Sequence, residues 1–220
     1  MKIFFDYKIF QQEYGGPSRY FFELFEALLK INKEAFILSP IYLNKYLQNS
    51  NFPKNIIGKK IESNSFISKF FKMINQNSSR IICTTNKPDI IHTTYYENFI
   101  ISKKKPIIVT VHDLIHEIFY YEFGMSKDYR PKKQILNYAD KIICVSNSTK
   151  KDLINIYNID ENKISVIYHG KPKINLVSEN NLNQKKPFFL YVGNRKRYKN
   201  FEIIIDAFMS EKIINNNFDL

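Results

Sequence analysis

The stretch "KIFFDYKIFQQEYGGPSRYFFELFEALLKINKEAFILS", residues 2–39, predicts the fold of the chain. It opens with a short apolar run, Lys2–Asp6, and ends with a second one, Ala35–Ser39. Between them, Pro17 suits the start of a helix, because its missing N–H needs no partner there. Apolar residues then recur at helical spacing: Phe21, Leu24, Phe25, Leu28 and Ile31. A strand–helix–strand unit of this kind is typical of a parallel sheet.

The rest of the chain continues this alternation. Apolar runs that suit buried strands are Asp89–His92, Ile107–Val111, Lys141–Val145, Lys163–Tyr168 and Phe188–Val192. Helices are predicted at Ser65–Ile74, at Lys132–Tyr138, and after Ser146, Asn147 or Ser148, each of which can cap a helix. The residues before Ser65 are rich in Asn and Lys and are predicted to form a loop.

We therefore predict an α/β fold: a Rossmann-like parallel sheet with helices on both faces, followed by an incomplete second Rossmann-like domain. The first domain is predicted at residues 1–173 and a polar linker at 174–187. Residues 188–220 would begin the second domain, in which Phe188–Val192 is predicted to be an edge strand without neighbours that exposes apolar surface. In an open sheet of this class, ligands bind beyond the carboxyl ends of the strands, so the candidate residues are those that follow each strand.

The composition leaves two interpretations of the charge. The formal net charge is +12, and the basic residues are clustered. This favours an anionic partner such as nucleic acid, a phosphorylated ligand or a lipid surface, whereas a general compositional bias toward Lys would explain it equally well.

Cys83 and Cys144 lie in apolar surroundings and indicate buried thiols rather than a disulfide framework. With no targeting or membrane-spanning segment recognised, we expect a cytoplasmic protein, soluble or peripheral at the inner face of the membrane.

Gly15 and Gly16 precede the predicted first helix. Two glycines allow the backbone to approach a ligand closely, and the helix N-terminus favours an anion. A plain turn explains the same residues, since the spacing matches no established phosphate-binding motif.

His112 directly follows the predicted strand Ile107–Val111, at the mouth of the expected cleft. It is a candidate functional residue, although a half-buried structural histidine fits the same position. In an extended chain the side chain of Asp113 points away from that of His112, so Asp113 is not an obvious partner to orient the imidazole. His112 and His116 have the spacing of two metal ligands on a helix, but no third ligand has suitable spacing, so we expect no metal.

A basic loop follows the apolar run Phe188–Val192. It contains Arg195, Lys196, Arg197 and Lys199. A solvated turn would explain these residues, but a cationic loop between a strand and a helix favours binding of a diphosphate. Other candidates for lining a pocket are Arg19, His92, Asp113 and Ser146. His169 also follows a strand, and we interpret His92 and His169 as pocket lining at most.

Six segments, in their order along the chain, resemble a known family. They are "GGPSRYFFEL", "DIIHTTY", "VTVHDLIHE", "ADKIICVSNSTKKDL", "ISVIYHG" and "FFLYVGNRKRYKNFEIIIDAF". The chain resembles the retaining GT-B glycosyltransferases of the large bacterial surface-polysaccharide group, that is, the glycosyl transferases of group 1 or family 4 type. The resemblance covers nearly the whole chain apart from residues 42–87.

The resemblance implies two Rossmann-like domains facing a cleft, with the acceptor mostly on the first domain and the sugar nucleotide mostly on the second. It implies that Gly15 and Gly16 lie near the donor phosphates and that His112 lies beside the transferred sugar. Lys199 matches the family lysine that holds the diphosphate. Arg195 is a weaker match, because Asn194 occupies the usual arginine position.

The resemblance also implies that most of the donor domain is missing, including the glutamate pair that binds ribose and sugar. We therefore expect a truncated enzyme that is inactive alone, or half of an enzyme completed by a second chain. The partners implied are a nucleotide-sugar donor and a glycan or lipid-linked acceptor. The alternative is a non-catalytic acceptor-binding module that acts with a partner chain. A nucleic-acid partner is not expected, since no recognition motif is present.

Overall fold

The structure is a computed structural model that describes residues 1–62, 68–120, 130–171, 186–193, 195, 199–210 and 217–219. Met1–Ile118 and Ser126–Gly170 together form one compact unit, and Phe119–Met125 and Lys171–Leu220 together form a second. We call these unit 1 and unit 2. The domain boundaries proposed from the sequence stay a prediction.

Unit 1 contains a seven-stranded sheet in which every pair of neighbouring strands is parallel. The spatial order is β3-β2-β1-β4-β5-β6-β7. The strands are β1 Lys2–Phe5, β2 Glu34–Tyr42, β3 Ile56–Lys60, β4 Ile90–Thr93, β5 Ile107–Val111, β6 Lys141–Cys144 and β7 Ile164–Val166. The strand numbers fall from β3 to β1 and then rise from β4 to β7, so the direction of strand addition reverses between β1 and β4. With right-handed crossovers, this reversal gives a Rossmann-like α/β sheet that carries helices on both faces, as predicted.

The described helices are α1 Gly16–Lys30, α2 Lys45–Gln48, α3 Ser68–Asn86, α4 Ile115–Ile118, α5 Arg130–Tyr138, α6 Asn147–Tyr157 and, in unit 2, α7 Phe201–Ser210. Short 3₁₀ turns occur at Lys8–Gln11, Pro53–Asn55 and Glu161–Lys163. In the part of the chain that the structure describes, no helix is both long enough and apolar enough to span a membrane.

Two sequence predictions between β2 and β4 are corrected by the structure. The residues predicted as a loop include β3, a short strand at the edge of the sheet, and the four-residue helix α2. The predicted helix Ser65–Ile74 instead continues to Asn86, while residues 65–67 lie outside the described residues. The helix extends because Asn75, Ser79 and Cys83 recur every four residues and are all buried, which forms an inward face without large apolar side chains.

The edge strand β3 depends on a close backbone contact. Gly58 has a φ of +153°, and a Cβ atom there would lie 1.7 Å from the carbonyl oxygen of Ser39. The pairing of β2 and β3 shifts register between Leu38 and Ile41. At that point the Asn75 side chain accepts a 2.8 Å hydrogen bond from the Ile41 N–H and donates one of 3.0 Å to its carbonyl oxygen. The amide of Asn75 thus replaces the missing strand partner.

The apolar side chains of unit 1 form two buried clusters. The first centres on β1, β2 and α1 and contains Phe5, Phe21, Phe25 and Ile37. The second centres on β5, β6 and the helices that follow them; its fully buried members include Val111, Leu136, Ile142, Cys144 and Leu153. The burial of Cys83 and Cys144 agrees with the expectation of free apolar thiols.

In unit 2, Phe188–Val192 does not form the regular strand predicted from its apolar pattern, whereas the predicted exposure of its apolar side chains is found. Within the described residues, this stretch makes an isolated parallel bridge between Phe188 and Asp219 rather than a regular strand. Leu190 and Val192 are 75% and 83% exposed. An apolar run becomes a buried strand only when neighbouring strands pair with it on both sides. Among the described residues, Phe188–Val192 is paired only through the bridge to Asp219.

The segment that follows β5 is fixed by a buried ion pair. Lys132 Nζ lies 2.6 Å from Glu117 Oε1, and the two side chains are only 10% and 3% exposed. Tyr157 donates a 2.8 Å hydrogen bond to the same carboxylate, and Lys132 donates one of 3.2 Å to the carbonyl oxygen of Asp113. The ammonium group also lies 4.5 Å from the centre of the Tyr96 ring. These contacts anchor α4 to α5 and α6.

We predict that Lys132→Met lowers the free energy of unfolding by about 3–5 kcal/mol, because it leaves the Glu117 charge buried without a counter-ion. The double variant Lys132→Met/Glu117→Leu should lose much less. Urea denaturation of the three proteins measures both values.

The matched control is Glu161→Gln, which breaks the ion pair with Lys150 where the glutamate is 70% exposed. It should cost less than about 1 kcal/mol. A cost for Lys132→Met no larger than that of the control would contradict the assignment of a buried, stabilising pair.

Candidate functional site at the carboxyl edge of the sheet

The N-terminus of α1 lies at the carboxyl end of β1. Gly15 caps the helix and Gly16 is its first residue. Ser18 Oγ donates a 2.9 Å hydrogen bond to the Gly15 carbonyl oxygen, and the Arg19 N–H donates one of 3.0 Å. A Cβ atom placed on Gly16 would have no neighbour within 4 Å, so the space beside it is open. The unsatisfied N–H groups of a first helical turn suit an anion.

A buried polar network holds the loop that leads from β1 to α1. Asp6 Oδ1 accepts hydrogen bonds from Thr94 Oγ1 at 2.5 Å, from the Thr94 N–H at 3.1 Å and from the Lys8 N–H at 3.1 Å. The Ile9 N–H donates a 3.0 Å hydrogen bond to Thr94 Oγ1. Burial raises the pKa of Asp6 to about 6, although these hydrogen bonds oppose the shift. The ends of β1 and β4 are thereby joined where the strand order reverses.

Glu97 extends this network toward the surface. Its carboxylate accepts a 2.5 Å hydrogen bond from Tyr7 and lies 2.8 Å from Lys72 Nζ and 3.5 Å from Lys8 Nζ. Burial opposes ionisation of Glu97, but the hydrogen bonds from Lys72 and Tyr7 outweigh it and lower the pKa of the carboxyl group. The first turns of α3, which carry Lys72, therefore lie at the same edge of the sheet as the N-terminus of α1.

His112 follows β5, and aromatic rings surround its imidazole. The ring of His169 is nearly parallel to it, at an angle of 14° and a centroid distance of 5.7 Å. Tyr20 approaches edge-on at 5.1 Å and Phe21 at 6.1 Å. The carbonyl oxygen of His112 accepts a 3.2 Å hydrogen bond from Thr149 Oγ1. Its Nε2 is buried and has no hydrogen-bond partner among the described residues.

The surroundings of His112 keep its ring uncharged. Its pKa is lowered to about 4, chiefly by burial and secondly by the charge of His169, while the carboxylate of Asp113 opposes the shift. A neutral imidazole has one nitrogen that accepts and one that donates a hydrogen bond. At neutral pH Nε2 of His112 is therefore a hydrogen-bonding atom, unpaired within the described residues, on a ring that carries no charge.

His92 and Ser146, two of the candidate lining residues, have structural contacts. His92 is 4% exposed, and its Nε2 lies 2.8 Å from Thr110 Oγ1. Its ring packs on Phe5 and Phe21, and burial lowers its pKa to about 3. Ser146 caps α6 as predicted, because its Oγ accepts a 3.1 Å hydrogen bond from the Thr149 N–H.

Arg19 and Asp113 are surface residues with local partners. Arg19 Nε donates a 2.6 Å hydrogen bond to Glu23, and both side chains are nearly half exposed. Asp113 Oδ1 accepts a 3.3 Å hydrogen bond from the Ile115 N–H at the start of α4. Among the described residues, His, Cys, Asp and Glu side chains form no group of three or more that could hold a metal.

Arg195 and Lys199, the proposed diphosphate ligands, belong to unit 2 and are exposed. The guanidinium of Arg195 lies 4.8 Å from the centre of the Phe201 ring, and Phe201 also contacts Tyr191 at 4.6 Å. Lys199 lies two residues before the first residue of α7. Lys196 and Arg197 lie outside the described residues.

Unit 1 thus brings the N-terminus of α1 and His112 together through Tyr20, the fifth residue of α1. The sequence analysis did not identify Tyr20, Thr110 or Glu97 as parts of the edge, whereas Thr94 lies among the residues that follow a predicted strand. Thr110 is a polar residue within an otherwise apolar strand, and that is a signal that could have identified it. Nothing in the local sequence distinguishes Glu97 from a surface residue.

Comparison with known proteins gives a match over most of the chain. The model of the family described as Glycosyltransferase Family 4 matches residues 14–171. The O-antigen chain mannosyltransferase RfbU of Salmonella typhimurium (strain LT2) is 26% identical over 150 residues, which are 67% of this chain and 37% of that protein. The chain therefore spans well under half the length of this relative.

Two solved structures share the fold. A glycosyltransferase from Rickettsia africae matches 100% of this chain and 68% of its own length, with a TM-score of 0.55 and 18% identity. The lipopolysaccharide outer core galactosyltransferase WaaB in its apo form matches 94% of this chain and 57% of its own, with a TM-score of 0.55 and 17% identity. These likenesses confirm the predicted Rossmann-like α/β fold.

We predict that Asp6 makes the chain less stable as the pH rises from about 4 to 6. Its folded pKa lies above the ordinary carboxyl value, so the folded state binds the proton more tightly. The stabilisation is complete below pH 4 and is lost as the pH rises through about 6. The expected loss is about 3 kcal/mol, measured by urea denaturation at each pH.

Asp6→Asn should remove this pH dependence, whereas Glu34→Gln, at an exposed carboxylate, should retain it. An Asp6→Asn protein with the same pH dependence as the wild type would show that Asp6 is not the group responsible.

Proposed function

Because the chain belongs to glycosyltransferase family 4, we propose that it is the acceptor-side part of an enzyme that transfers a sugar from a nucleotide-sugar donor. The acceptor is a glycan or a lipid-linked glycan in the synthesis of surface polysaccharide or lipopolysaccharide. The relative that synthesises O-antigen chains supports this class of product. We further propose that the anomeric configuration of the sugar is retained and that no metal is required.

One observation carries the proposal. The buried Nε2 of His112 has no partner within the described residues, and Tyr20 joins its ring to the same helix whose first residue, Gly16, has open space beside it. A helix N-terminus suits a phosphate, and a neutral imidazole suits a sugar hydroxyl. A sugar diphosphate has both groups, a few ångströms apart.

The leaving diphosphate would also be bound from unit 2. Arg195 and Lys199 are the cationic groups proposed for it, because charge-assisted hydrogen bonds stabilise the charge that develops on a leaving diphosphate. The loop that carries them adjoins residues 188–193, which make only an isolated bridge among the described residues. We therefore propose that the chain by itself transfers no sugar and binds donors weakly, because these long side chains must be ordered on binding.

We propose that the acceptor is lipid-linked and that the carboxyl edge faces a membrane. Phe70 and Met73 at the start of α3 are 54% and 50% exposed, and α3 contains no acidic residue. The Lys72 contact with Glu97 fixes this apolar and basic surface at the edge that carries the candidate site. Apolar side chains beside Lys residues suit an anionic lipid surface. The aromatic and basic residues Tyr120, Tyr121, Phe123 and Lys127 also suit a lipid-linked acceptor by their chemistry. Of these, Tyr121, Phe123 and Lys127 lie outside the described residues.

A transfer assay tests the function. The purified chain is mixed with UDP-, GDP- and ADP-sugars and with a lipid-linked acceptor in anionic vesicles or a soluble acceptor glycan. Each mixture is prepared with and without a separately expressed carboxyl-terminal donor domain, and with and without EDTA. We expect transfer only when the donor domain is present, unaffected by EDTA and faster to the vesicle-bound acceptor.

In the active mixture, His112→Ala should lower turnover by roughly 100-fold with little loss of stability. His116→Ala is the matched control, because His116 is exposed on α4, and it should leave turnover unchanged. Unchanged turnover in a folded His112→Ala protein would refute the role of His112. Specific binding of the acceptor without transfer in any mixture would favour the alternative, a non-catalytic acceptor-binding module.

A further inference from the structure

Three rings from separate parts of unit 1 meet at the carboxyl edge. They belong to Tyr20 in α1, to His112 after β5 and to His169 after β7. The Tyr20 ring is nearly perpendicular to both imidazoles, with centroid distances of 5.1 Å and 5.0 Å. The two imidazoles are stacked nearly parallel, with their centroids 5.7 Å apart. His169 therefore covers one face of the His112 ring, and its own side chain is exposed.

The orientation of the His112 ring depends on these contacts. Its main chain is fixed by Thr149, but the buried Nε2 has no hydrogen-bond partner among the described residues. Ring packing rather than a polar anchor therefore sets the direction of Nε2.

Burial and the charge of His169 both lower the pKa of His112, and only Asp113 opposes them. Among the described residues, the titratable groups around it are Tyr20 from α1, His92 from β4, His169 after β7 and its own neighbour Asp113. Burial raises the pKa of Tyr20 and lowers that of His92, so both are neutral at pH 7. A positive charge on His169 repels one on His112, and Asp113 attracts one.

We propose that His169 is a positioning residue for the transfer reaction. Its ring holds the imidazole of His112 in place and keeps it uncharged, so that Nε2 is available to a hydroxyl group of the sugar. This inference rests on the proposed function, in which His112 contacts the transferred sugar. His169 itself need not touch the substrate.

The test titrates the His112 ring by NMR in the chain, without any ligand. In the wild type, His112 should titrate near pH 4. His169→Phe retains a ring but removes the charge, and His169→Ala also removes the cover. We expect the pKa of His112 to rise in both variants, by roughly one unit in His169→Ala. His116→Ala should leave it unchanged. Circular dichroism melting checks that all variants are folded.

An unchanged His112 titration in a folded His169→Ala protein would overturn the proposal. A second measurement uses the mixture with the donor domain. If His112 must be neutral, the acidic limb of the rate–pH profile should move upward together with the pKa of His112. A moved titration with an unmoved limb would show that His169 positions His112 but that His112 does not act in transfer, so the proposed function rather than the packing would be wrong.

Discussion

The packing of α1 across the carboxyl ends of three neighbouring strands is the contact on which the candidate site depends. The Phe21 ring lies 6.1 Å from that of Phe5, the last residue of β1, 5.2 Å from that of His92 in β4 and 6.1 Å from that of His112 after β5. One buried side chain therefore fixes the helix relative to each of these strands. Interiors are close-packed, so the helix N-terminus and the His112 ring cannot shift independently.

The polar network beside this contact has a complementary role. Asp6, Thr94 and Glu97 join the ends of β1 and β4, where the reversal of strand order leaves a crevice in an open sheet. Their hydrogen bonds hold the loop that leads from β1 to α1. Open space lies beside Gly16 at the helix N-terminus. Family 4 membership and this geometry together support a sugar-diphosphate site there.

The sequence predicted the central strands well because they are buried on both faces. Continuous apolar runs such as Ile107–Val111 have few alternatives. It missed β3 because an edge strand reading "IIGKK" carries a glycine and two lysines, which resemble a loop. It assigned a regular strand to Phe188–Val192 because an apolar run has the same sequence whether or not a partner strand pairs with it. Strand pairing is a tertiary property.

The candidate site was predicted in part for the same reason. His112, Gly15 and Gly16 follow strands or begin a helix, and local sequence indicates such positions. The contacts of Tyr20 and His169 with His112 could not be predicted, because they join segments that are far apart along the chain. Arg195 and Lys199 stay predictions from the family resemblance.

The most direct test of the central claim is an NMR titration of the isotope-labelled chain with millimolar UDP-glucose or GDP-mannose. We predict that one of them selectively shifts the amide signals of Gly15, Gly16 and Ser18 together with the ring signals of His112, even though binding is weak. Shifts confined to other residues, or none at Gly16 and His112 for any sugar nucleotide, would contradict the assignment of this edge as the donor-facing site.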